Sequence, residues 1–169
     1  MGARLVKTLD RFQGLASRLL EEASALYRDR LVSVAVFGSV ARGVPTPESD
    51  LDVLLVVDPL PAGRLRRVAE FELLEDRLAD DLATMARAGV HAVVSPVIKT
   101  RDEVRRGSPV FLDMTIDVSI LFDPDGFLRG YLDGLRDRMA RLGSRRVALG
   151  GGYYWLLKPD LKPGEVFEL

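Results

Sequence analysis

Residues 34–57 constrain the fold of this chain more than any other stretch. They read VAVFGSVARGVPTPESDLDVLLVV, which is an apolar run, a turn with two glycines, a loop with two prolines and a second apolar run. Short β-branched runs bounded by glycine, proline and serine are typical of β-strands. The sequence therefore predicts strands over 33–37 and 51–57, with a turn over 38–43 and a loop over 44–49 between them.

Two aspartates open the second predicted strand. Asp50 and Asp52 are two positions apart, and side chains at i and i+2 of a strand point to the same face. Two neighbouring carboxylates repel each other, which raises the pKa of one of them unless a cation neutralises the pair. Mg²⁺ prefers oxygen ligands and is usually held by one or two carboxylates together with substrate phosphates. Asp50 and Asp52 are therefore the candidate metal ligands and catalytic carboxylates.

The turn between the two strands fits a phosphate group. Gly38 can adopt a positive φ angle and let the backbone approach a ligand closely, and exposed N–H groups in such a turn can bind an anion. The Ser39 hydroxyl adds a further donor. Ala41 and Arg42 are predicted to begin a short helix whose N-terminus lies near the phosphates. Arg42 could contact a phosphate, and the alternative is a solvated or structurally paired arginine.

The Gly38-Ser39 turn followed by Asp50-Leu51-Asp52 resembles the signature of the nucleotidyltransferase superfamily of DNA polymerase β. The form FGSVARG…SDLDVLLVV is similar to that of the minimal nucleotidyltransferases of bacteria and archaea, which are single small domains. The resemblance implies that Asp50 and Asp52 bind Mg²⁺ and that Gly38 and Ser39 hold a nucleoside triphosphate, with ATP as the expected nucleotide. Arg42 is the third candidate nucleotide contact.

The resemblance also implies a third carboxylate on the third strand, which completes the metal site and acts as base for the attacking hydroxyl. The predicted third strand, 91–98, reads HAVVSPVI and contains no acid, and Ser95 stands where that carboxylate is expected. Asp117, just before a predicted fourth strand over 118–122, is the candidate substitute. It shares a helix face with Asp113 if that segment is helical. The alternative is that both aspartates are surface residues.

Apolar residues at helical spacing predict three long helices around these strands. They cover residues 5–26, 64–87 and 127–143, and the apolar face of the second includes Leu65 and Val68. The expected fold is α/β, with a small mixed β-sheet of about four strands packed by long helices, the polymerase β-like nucleotidyltransferase fold. A chain of 169 residues is long enough for one domain with its own core.

We expect this nucleotidyltransferase domain to span 1–149 and a C-terminal aromatic tail to span 150–169. The three glycines at 150–152 are expected to break any regular element. Tyr153, Tyr154 and Trp155 follow directly, and residues of these types dominate interface energies. The tail therefore either docks onto the body of the chain or binds a partner.

Composition narrows the range of functions. The chain has no cysteine and one histidine, which excludes disulfides, a thiolate nucleophile, cysteine zinc clusters and multi-histidine metal sites. Its net charge of −1 creates no global field that attracts nucleic acid, so nucleic acid is not an expected partner. No apolar run approaches a membrane span and no signal peptide is visible. We therefore expect a cytoplasmic protein without membrane contact, and a homo-oligomer is compatible with the sequence.

Two functions fit these features. The first is a Mg²⁺-dependent enzyme that transfers a nucleoside monophosphate from an NTP to a hydroxyl acceptor. Small members of the family often act as antitoxins that covalently modify a helical HEPN-type toxin, so the resemblance implies such a partner, with a tyrosine as the acceptor. The second is a catalytically weak, antitoxin-like binding module that masks a partner and has a vestigial nucleotide site. An aminoglycoside-type acceptor ranks below both because no second substrate domain is encoded.

Overall fold

The computed structural model describes residues 2–169, with side chains described from residue 5 onward. Met1, the first residue of the domain predicted over 1–149, lies outside the described residues. The α-helices are α1 (Gly2–Tyr27), α2 (Gly38–Ala41), α3 (Arg64–Arg87), α4 (Arg101–Arg105), α5 (Val110–Met114) and α6 (Phe127–Arg141). The strands are β1 (Leu31–Phe37), β2 (Leu51–Val57), β3 (Val94–Lys99), β4 (Val118–Phe122), β5 (Arg145–Leu149) and β6 (Gly152–Leu156).

Four of the strands form one mixed sheet in the order β3-β2-β1-β4. β1 is antiparallel to both of its neighbours, β2 and β4, whereas β3 runs parallel to β2. A parallel pair requires a long crossover connection, and α3 provides it between β2 and β3. The α/β class predicted from the sequence, with a small mixed sheet of four strands packed by long helices, is confirmed.

The sheet separates two hydrophobic cores because its side chains alternate between its two faces. Along β2, Val53 and Leu55 belong to the core beneath α1 and α3. Leu54 belongs to the second core, together with Phe111 of α5 and the apolar face of α6. Burial on both faces explains why β2 reads as a continuous apolar run. Asp52 lies two residues before Leu54 and therefore projects on the α5–α6 face of the sheet.

The long helices bury most of the apolar stripes predicted for them, but the starts of α1 and α3 are exceptions, and Leu5 of α1 is 40% exposed. Phe71, Leu78 and Met85 of α3 are buried, but Leu65 and Val68 are 85% and 43% exposed. Including these two residues in the buried stripe was wrong, because Val68 borders an open cavity beside β3 instead of the core and Leu65 faces solvent. Among the helices of residues 2–169, none is both long and apolar enough to cross a bilayer.

The third strand begins later than the sequence predicted. It spans Val94–Lys99 rather than 91–98, and His91 precedes it. The His91 N–H donates to the Pro47 carbonyl at 2.7 Å. This bond ties the segment before β3 to the proline-containing loop before β2, so His91 serves as a loop contact.

The C-terminal part contains a β-hairpin where the sequence predicted a break at the glycines before the aromatic tail. β5 and β6 pair antiparallel, with Arg146 opposite Trp155 and Leu149 opposite Gly152. Gly150 and Gly151 have positive φ angles of 55° and 84° and supply the turn. The expectation that the glycine run breaks any regular element is therefore corrected, because it joins two strands. The predicted division at residues 149 and 150 falls within this turn and stays a prediction.

Candidate functional site

The sheet topology brings one end of each of its four strands to the same edge. β1 ends at Phe37, and its antiparallel neighbours begin there, with Val118 of β4 directly opposite Phe37. β2 is also antiparallel to β1 and therefore begins at this edge, and β3 begins beside it because it runs parallel to β2. The Gly38-Ser39 turn, the aspartate pair and Ser95 are thus collected at one edge from three separate segments.

Gly38 and Asp52 are in direct contact across β1 and β2. A Cβ atom placed on Gly38 would lie 2.1 Å from Oδ2 of Asp52 and 3.0 Å from its Cγ. Gly38 also has a φ angle of +70°, which side chains other than glycine rarely adopt. Two independent constraints therefore require glycine at position 38. The sequence had suggested only that glycine lets the backbone approach a ligand, and the contact with Asp52 adds a reason that lies within the protein.

The turn itself is the first part of a short helix. The sequence predicted a helix beginning at Ala41 and Arg42, whereas α2 begins at Gly38 and ends at Ala41, with Arg42 as its C-cap. The Arg42 N–H donates to the Gly38 carbonyl at 3.2 Å, and the Val44 N–H donates to the Ser39 carbonyl at 3.0 Å. The first N–H groups of a helix have no partner within it, so Gly38 and Ser39 contribute donors at the edge where Asp52 lies.

The loop before the aspartates is held by its own hydrogen bonds. The Ser49 N–H donates to the Thr46 carbonyl at 3.1 Å, and the Thr46 N–H donates to the Ser49 Oγ at 2.9 Å. This reciprocal pair closes the loop immediately before Asp50. The Leu51 N–H then donates to the Val93 carbonyl at 2.8 Å, which fixes the start of β2 against the segment before β3. Asp50 is exposed, and these hydrogen bonds hold the backbone on both sides of it.

The pKa of Asp52 is raised above its ordinary value. Partial burial is the largest cause, and the negative charge of Asp50 adds to it. A hydrogen bond with Ser95 and the positive charge of Arg42 act in the opposite direction but do not cancel the shift. A half-buried carboxylate beside another carboxylate gains from a cation, which would favour its ionised form. The predicted repulsion between the two aspartates is thus present in the structure.

Ser95 and Asp117, the two positions considered for a third carboxylate, have different surroundings. Ser95 pairs with Asp52 across β2 and β3, so it lies beside the candidate metal ligand. Asp117 follows α5 and accepts a hydrogen bond from Nη1 of Arg146 at 2.9 Å. Asp117 therefore forms an ion pair with an arginine of the hairpin, and it is not part of a metal-binding group with the aspartate pair among the described residues.

Asp113 anchors the hairpin to the body of the protein. Its Oδ1 accepts hydrogen bonds from Trp155 Nε1 at 2.8 Å, Tyr153 Oη at 2.9 Å and Arg146 Nη2 at 3.3 Å. The Arg146 guanidinium also lies over the rings of Tyr153 and Trp155, 4.4 Å and 5.3 Å from their centroids. The aromatic residues therefore dock on their own chain, which was one of the two alternatives, whereas Tyr154 on the opposite face of β6 is 47% exposed.

The sequence analysis did not predict that Arg146 links the hairpin to Asp113 and Asp117. Tyr153 and Trp155 lie on one face of β6 because side chains alternate along a strand, and that alternation was the available signal. Arg146 lies 29 residues from Asp117 and 33 from Asp113, and no local pattern encodes such a contact.

The donor set at the strand edge fits a magnesium ion bound with a nucleotide. Among the described residues, no group of three or more histidine, aspartate or glutamate side chains is placed to hold a metal by itself. Two carboxylates, Asp50 and Asp52, are the usual protein contribution to a Mg²⁺ site that is completed by phosphates and water. Burial of Asp52 and, after it, the negative charge of Asp50 raise the pKa of Asp52, and a bound cation would offset both effects.

Comparisons with known proteins identify the family of the chain. The sequence pattern of the nucleotidyltransferase domain matches residues 16–105. A protein of Methanocaldococcus jannaschii that carries the provisional name protein adenylyltransferase is 27% identical over 130 residues, which is 76% of this chain and 83% of that protein. A solved toxin–antitoxin structure with AMP-PNP has a TM-score of 0.49 and 14% identity, and the alignment covers 76% of this chain and 92% of that chain.

A further solved structure, from Sulfolobus solfataricus and provisionally described as a nucleotidyltransferase, has a TM-score of 0.43 and 20% identity. It covers 70% of this chain, and this chain covers 86% of it. The matched domain pattern includes the Gly38-Ser39 turn, the aspartate pair and Ser95, which are the residues that the fold brings together. The chain belongs to the family of proteins with the nucleotidyltransferase domain.

Proposed function

We propose that this protein is a Mg²⁺-dependent nucleotidyltransferase that transfers the nucleoside monophosphate of an NTP, with ATP as the expected nucleotide, to a hydroxyl group. The observation that carries the proposal is the contact between Asp52 and Gly38, where an added Cβ would lie 2.1 Å from the carboxylate. It sets the carboxylate pair directly beside a turn suited to phosphate groups. Membership of the nucleotidyltransferase family supports the reaction class.

Each residue at the strand edge has a separate task in this proposal. The N–H groups of Gly38 and Ser39 and the Ser39 hydroxyl donate to the phosphate oxygens, and Arg42 adds positive charge beside them. Asp50 and Asp52 bind the cation and keep it at the strand edge. Bound Mg²⁺ supplies charge stabilisation for the phosphoryl group in transfer. The acceptor oxygen forms a bond to the α-phosphorus, the bond to pyrophosphate breaks, and pyrophosphate leaves.

The proposed acceptor is a hydroxyl group of a protein partner. The provisional name of the Methanocaldococcus jannaschii relative, protein adenylyltransferase, supports transfer of AMP to a protein. The resemblance of the motif to that of minimal nucleotidyltransferases points to a HEPN-type toxin as this partner and to one of its tyrosines as the acceptor. Asp50 is exposed at the strand edge, so a protein hydroxyl can approach the aspartate pair from solvent.

A catalytically weak antitoxin-like module is the second candidate function, and the surroundings of Ser95 and Asp117 favour it. A serine is neither a base near neutral pH nor an anionic metal ligand. Asp117 is engaged by Arg146 at 2.9 Å. With neither position supplying a free carboxylate, deprotonation of the acceptor relies on the cation or on the partner. The protein could then bind a nucleotide and mask the partner while transferring slowly.

Intact-mass spectrometry of a co-expressed partner tests the proposal. A small helical protein encoded next to this chain is the partner to choose, and the expected result is a mass increase of one nucleoside monophosphate. The control is the Asp50→Asn/Asp52→Asn variant, which should leave the partner unmodified. A partner that binds both proteins equally well and is modified by neither, with no pyrophosphate released from ATP and Mg²⁺, would instead support the masking module.

A further inference from the structure

A cavity of about 720 Å³ lies between the start of α3, the outer edge of β3 and α4. Its size is within the range of about 300–1,000 Å³ that is usual for small-molecule sites. We call it the α3 cavity and define it by the apolar residues Val68, Phe71, Pro96 and Ile98 and the charged residues Arg64 and Lys99. No residue of the aspartate site lines it.

The α3 cavity lies on the other face of the sheet from Asp52, and its Lys99 end is also distant from Asp52 along the strands. Pro96 pairs with Val53 and Ile98 with Leu55, so both face the α1–α3 side, whereas Asp52 faces the other side. Lys99 lies four residues beyond Ser95 on β3, which is about 13 Å at strand rise. The cavity therefore follows the outer edge of β3 on the face opposite Asp52, and its Lys99 end lies where β2 and β3 terminate.

The floor of the α3 cavity is apolar and incompletely covered by the protein itself. Val68 is 43% exposed although it is on the same helix face as buried Phe71. Ile98 and Pro96 of β3 are half-buried at the edge of the sheet, where β2 is the only strand of residues 2–169 that pairs with β3. Apolar surface of this kind gains free energy when a ligand removes it from water, by about 25 cal/mol per Å².

The charged rim is positive at the end formed by Arg64 and Lys99. Neither Arg64 nor Lys99 forms a salt bridge among the described residues, although the charge of Lys99 helps to lower the pKa of Glu103, after the hydrogen bonds of Glu103 with Thr100 and Arg67. Glu103 also holds Arg67, at 2.8 Å and 2.9 Å, so three cations face this one carboxylate at this end of the cavity. No acidic residue occupies the first turn of α3, so its helix dipole adds to the positive potential at this end. Glu75, at the far end, lies eleven residues from Arg64, about 16 Å along the helix.

An added peptide strand fits this edge less well than a small molecule. Pro96 has no N–H group, and proline on an edge strand interrupts the ladder that strand addition requires. The α3 cavity is instead a concave site with an apolar floor and a cationic end. That combination matches a ligand with an apolar body and one anionic group.

We propose that the α3 cavity binds an elongated small molecule with an anionic group, such as a carboxylate, sulfonate or phosphate, at one end of an apolar ring or chain. The anionic group lies between Arg64 and Lys99, and the apolar body covers Val68, Pro96 and Ile98. This site is independent of the aspartate pair and of the nucleotidyl transfer proposed above.

Two fluorescent probes of similar shape test the charge requirement. 8-Anilinonaphthalene-1-sulfonate is an anion, and N-phenyl-1-naphthylamine lacks the sulfonate. Wild-type protein should bind one anionic probe per chain, about tenfold more tightly than the neutral probe. A tenfold preference corresponds to about 1.4 kcal/mol of binding free energy from the charged contact. Arg64→Ala/Lys99→Ala should remove that preference. The matched control Arg66→Ala/Arg106→Ala loses the same charge outside the cavity and should retain it.

Further measurements place the probe. Val68→Trp fills the cavity from a half-exposed position and should abolish binding of both probes, while urea unfolding shows that this variant is folded. Saturating ATP with Mg²⁺ should not displace the anionic probe. The proposal is overturned if wild-type protein binds neither probe or both equally, if the control double variant loses the preference as well, if folded Val68→Trp binds normally, or if ATP displaces the probe.

Discussion

Substitution of Gly38 by alanine should destabilise the protein through two separable effects. An alanine at φ +70° costs about 1–2 kcal/mol, as left-handed backbone does for residues with a Cβ. The new Cβ would lie 2.1 Å from Asp52 Oδ2, and overpacking of this kind costs about 1–3 kcal/mol more. We therefore expect Gly38→Ala to lower the free energy of unfolding by about 2–5 kcal/mol.

Gly43→Ala is the matched control within the same turn. Gly43 has a φ angle of +74°, but a Cβ at this position would meet no atom of the described residues within 4 Å. It should therefore cost only the backbone strain of about 1–2 kcal/mol. Urea unfolding at pH 7, with the same m-value for each variant, measures the difference. In an Asp52→Ala background, the cost of Gly38→Ala should fall to that of Gly43→Ala because the carboxylate is absent.

The side chain of Asp52 could also rotate away from the alanine, which would lower the energetic cost. Asp52 would then leave its position beside the turn, and binding of ATP with Mg²⁺ would be lost while Gly43→Ala retains it. The reasoning is refuted if Gly38→Ala and Gly43→Ala are equal both in their free energies of unfolding and in their affinities for ATP with Mg²⁺. That result would show that the contact between Gly38 and Asp52 has no consequence.

Three further predictions concern the surroundings of the site. Because the pKa of Asp52 is raised in the folded protein, Asp52 stabilises the fold at pH values below its unfolded pKa, and this stabilisation is lost as pH rises through the folded pKa. Asp52→Asn should therefore be at least as stable as wild type in metal-free urea unfolding at pH 7. A large loss of stability in this variant would contradict the direction of the pKa shift. If the general base is missing, Ser95→Asp should raise the rate of pyrophosphate release with the true acceptor by about 10²–10⁴-fold. Asp117→Asn should change this rate little because Asp117 pairs with Arg146. Loss of activity in Asp117→Asn would instead identify Asp117 as the general base. Asp113→Asn weakens three hydrogen bonds to the hairpin and should lower the free energy of unfolding by only about 1–2 kcal/mol, because the carboxylate is partly exposed. Urea unfolding followed by Trp155 fluorescence measures this loss. An unchanged unfolding midpoint would show that Asp113 does not anchor the hairpin.

The strands and long helices could be predicted because their signals are local. β2 and β4 have the predicted bounds, Leu51–Val57 and Val118–Phe122, and α3 spans Arg64–Arg87 as predicted. Continuous apolar runs and apolar residues at helical spacing determine such elements over a few turns. The start of α3 shows the limit of this reasoning, because spacing gives the apolar face but not whether the rest of the protein reaches it. Leu65 has the right spacing and is 85% exposed.

The hairpin could not be predicted from local patterns because its anchors are distant in sequence. Asp113 receives donors from residues 33 to 42 positions away, and the glycines that looked like a break form the hairpin turn. The site was predictable in its components, since the turn and the aspartate pair lie within one short stretch. The packing of Gly38 on Asp52 required the strand register, which places the end of β1 beside the start of β2.

The central claim is that Asp50 and Asp52 bind a nucleoside triphosphate through Mg²⁺ beside the Gly38-Ser39 turn. Isothermal titration calorimetry with a non-hydrolysable ATP analogue, in MgCl₂ and in EDTA, tests it most directly. Wild-type protein should bind one analogue per chain in MgCl₂ and lose this binding in EDTA, and Asp50→Asn/Asp52→Asn should bind in neither, because the anionic ligands of the metal are gone. Equal affinity of wild type and the double variant in MgCl₂ would contradict the account.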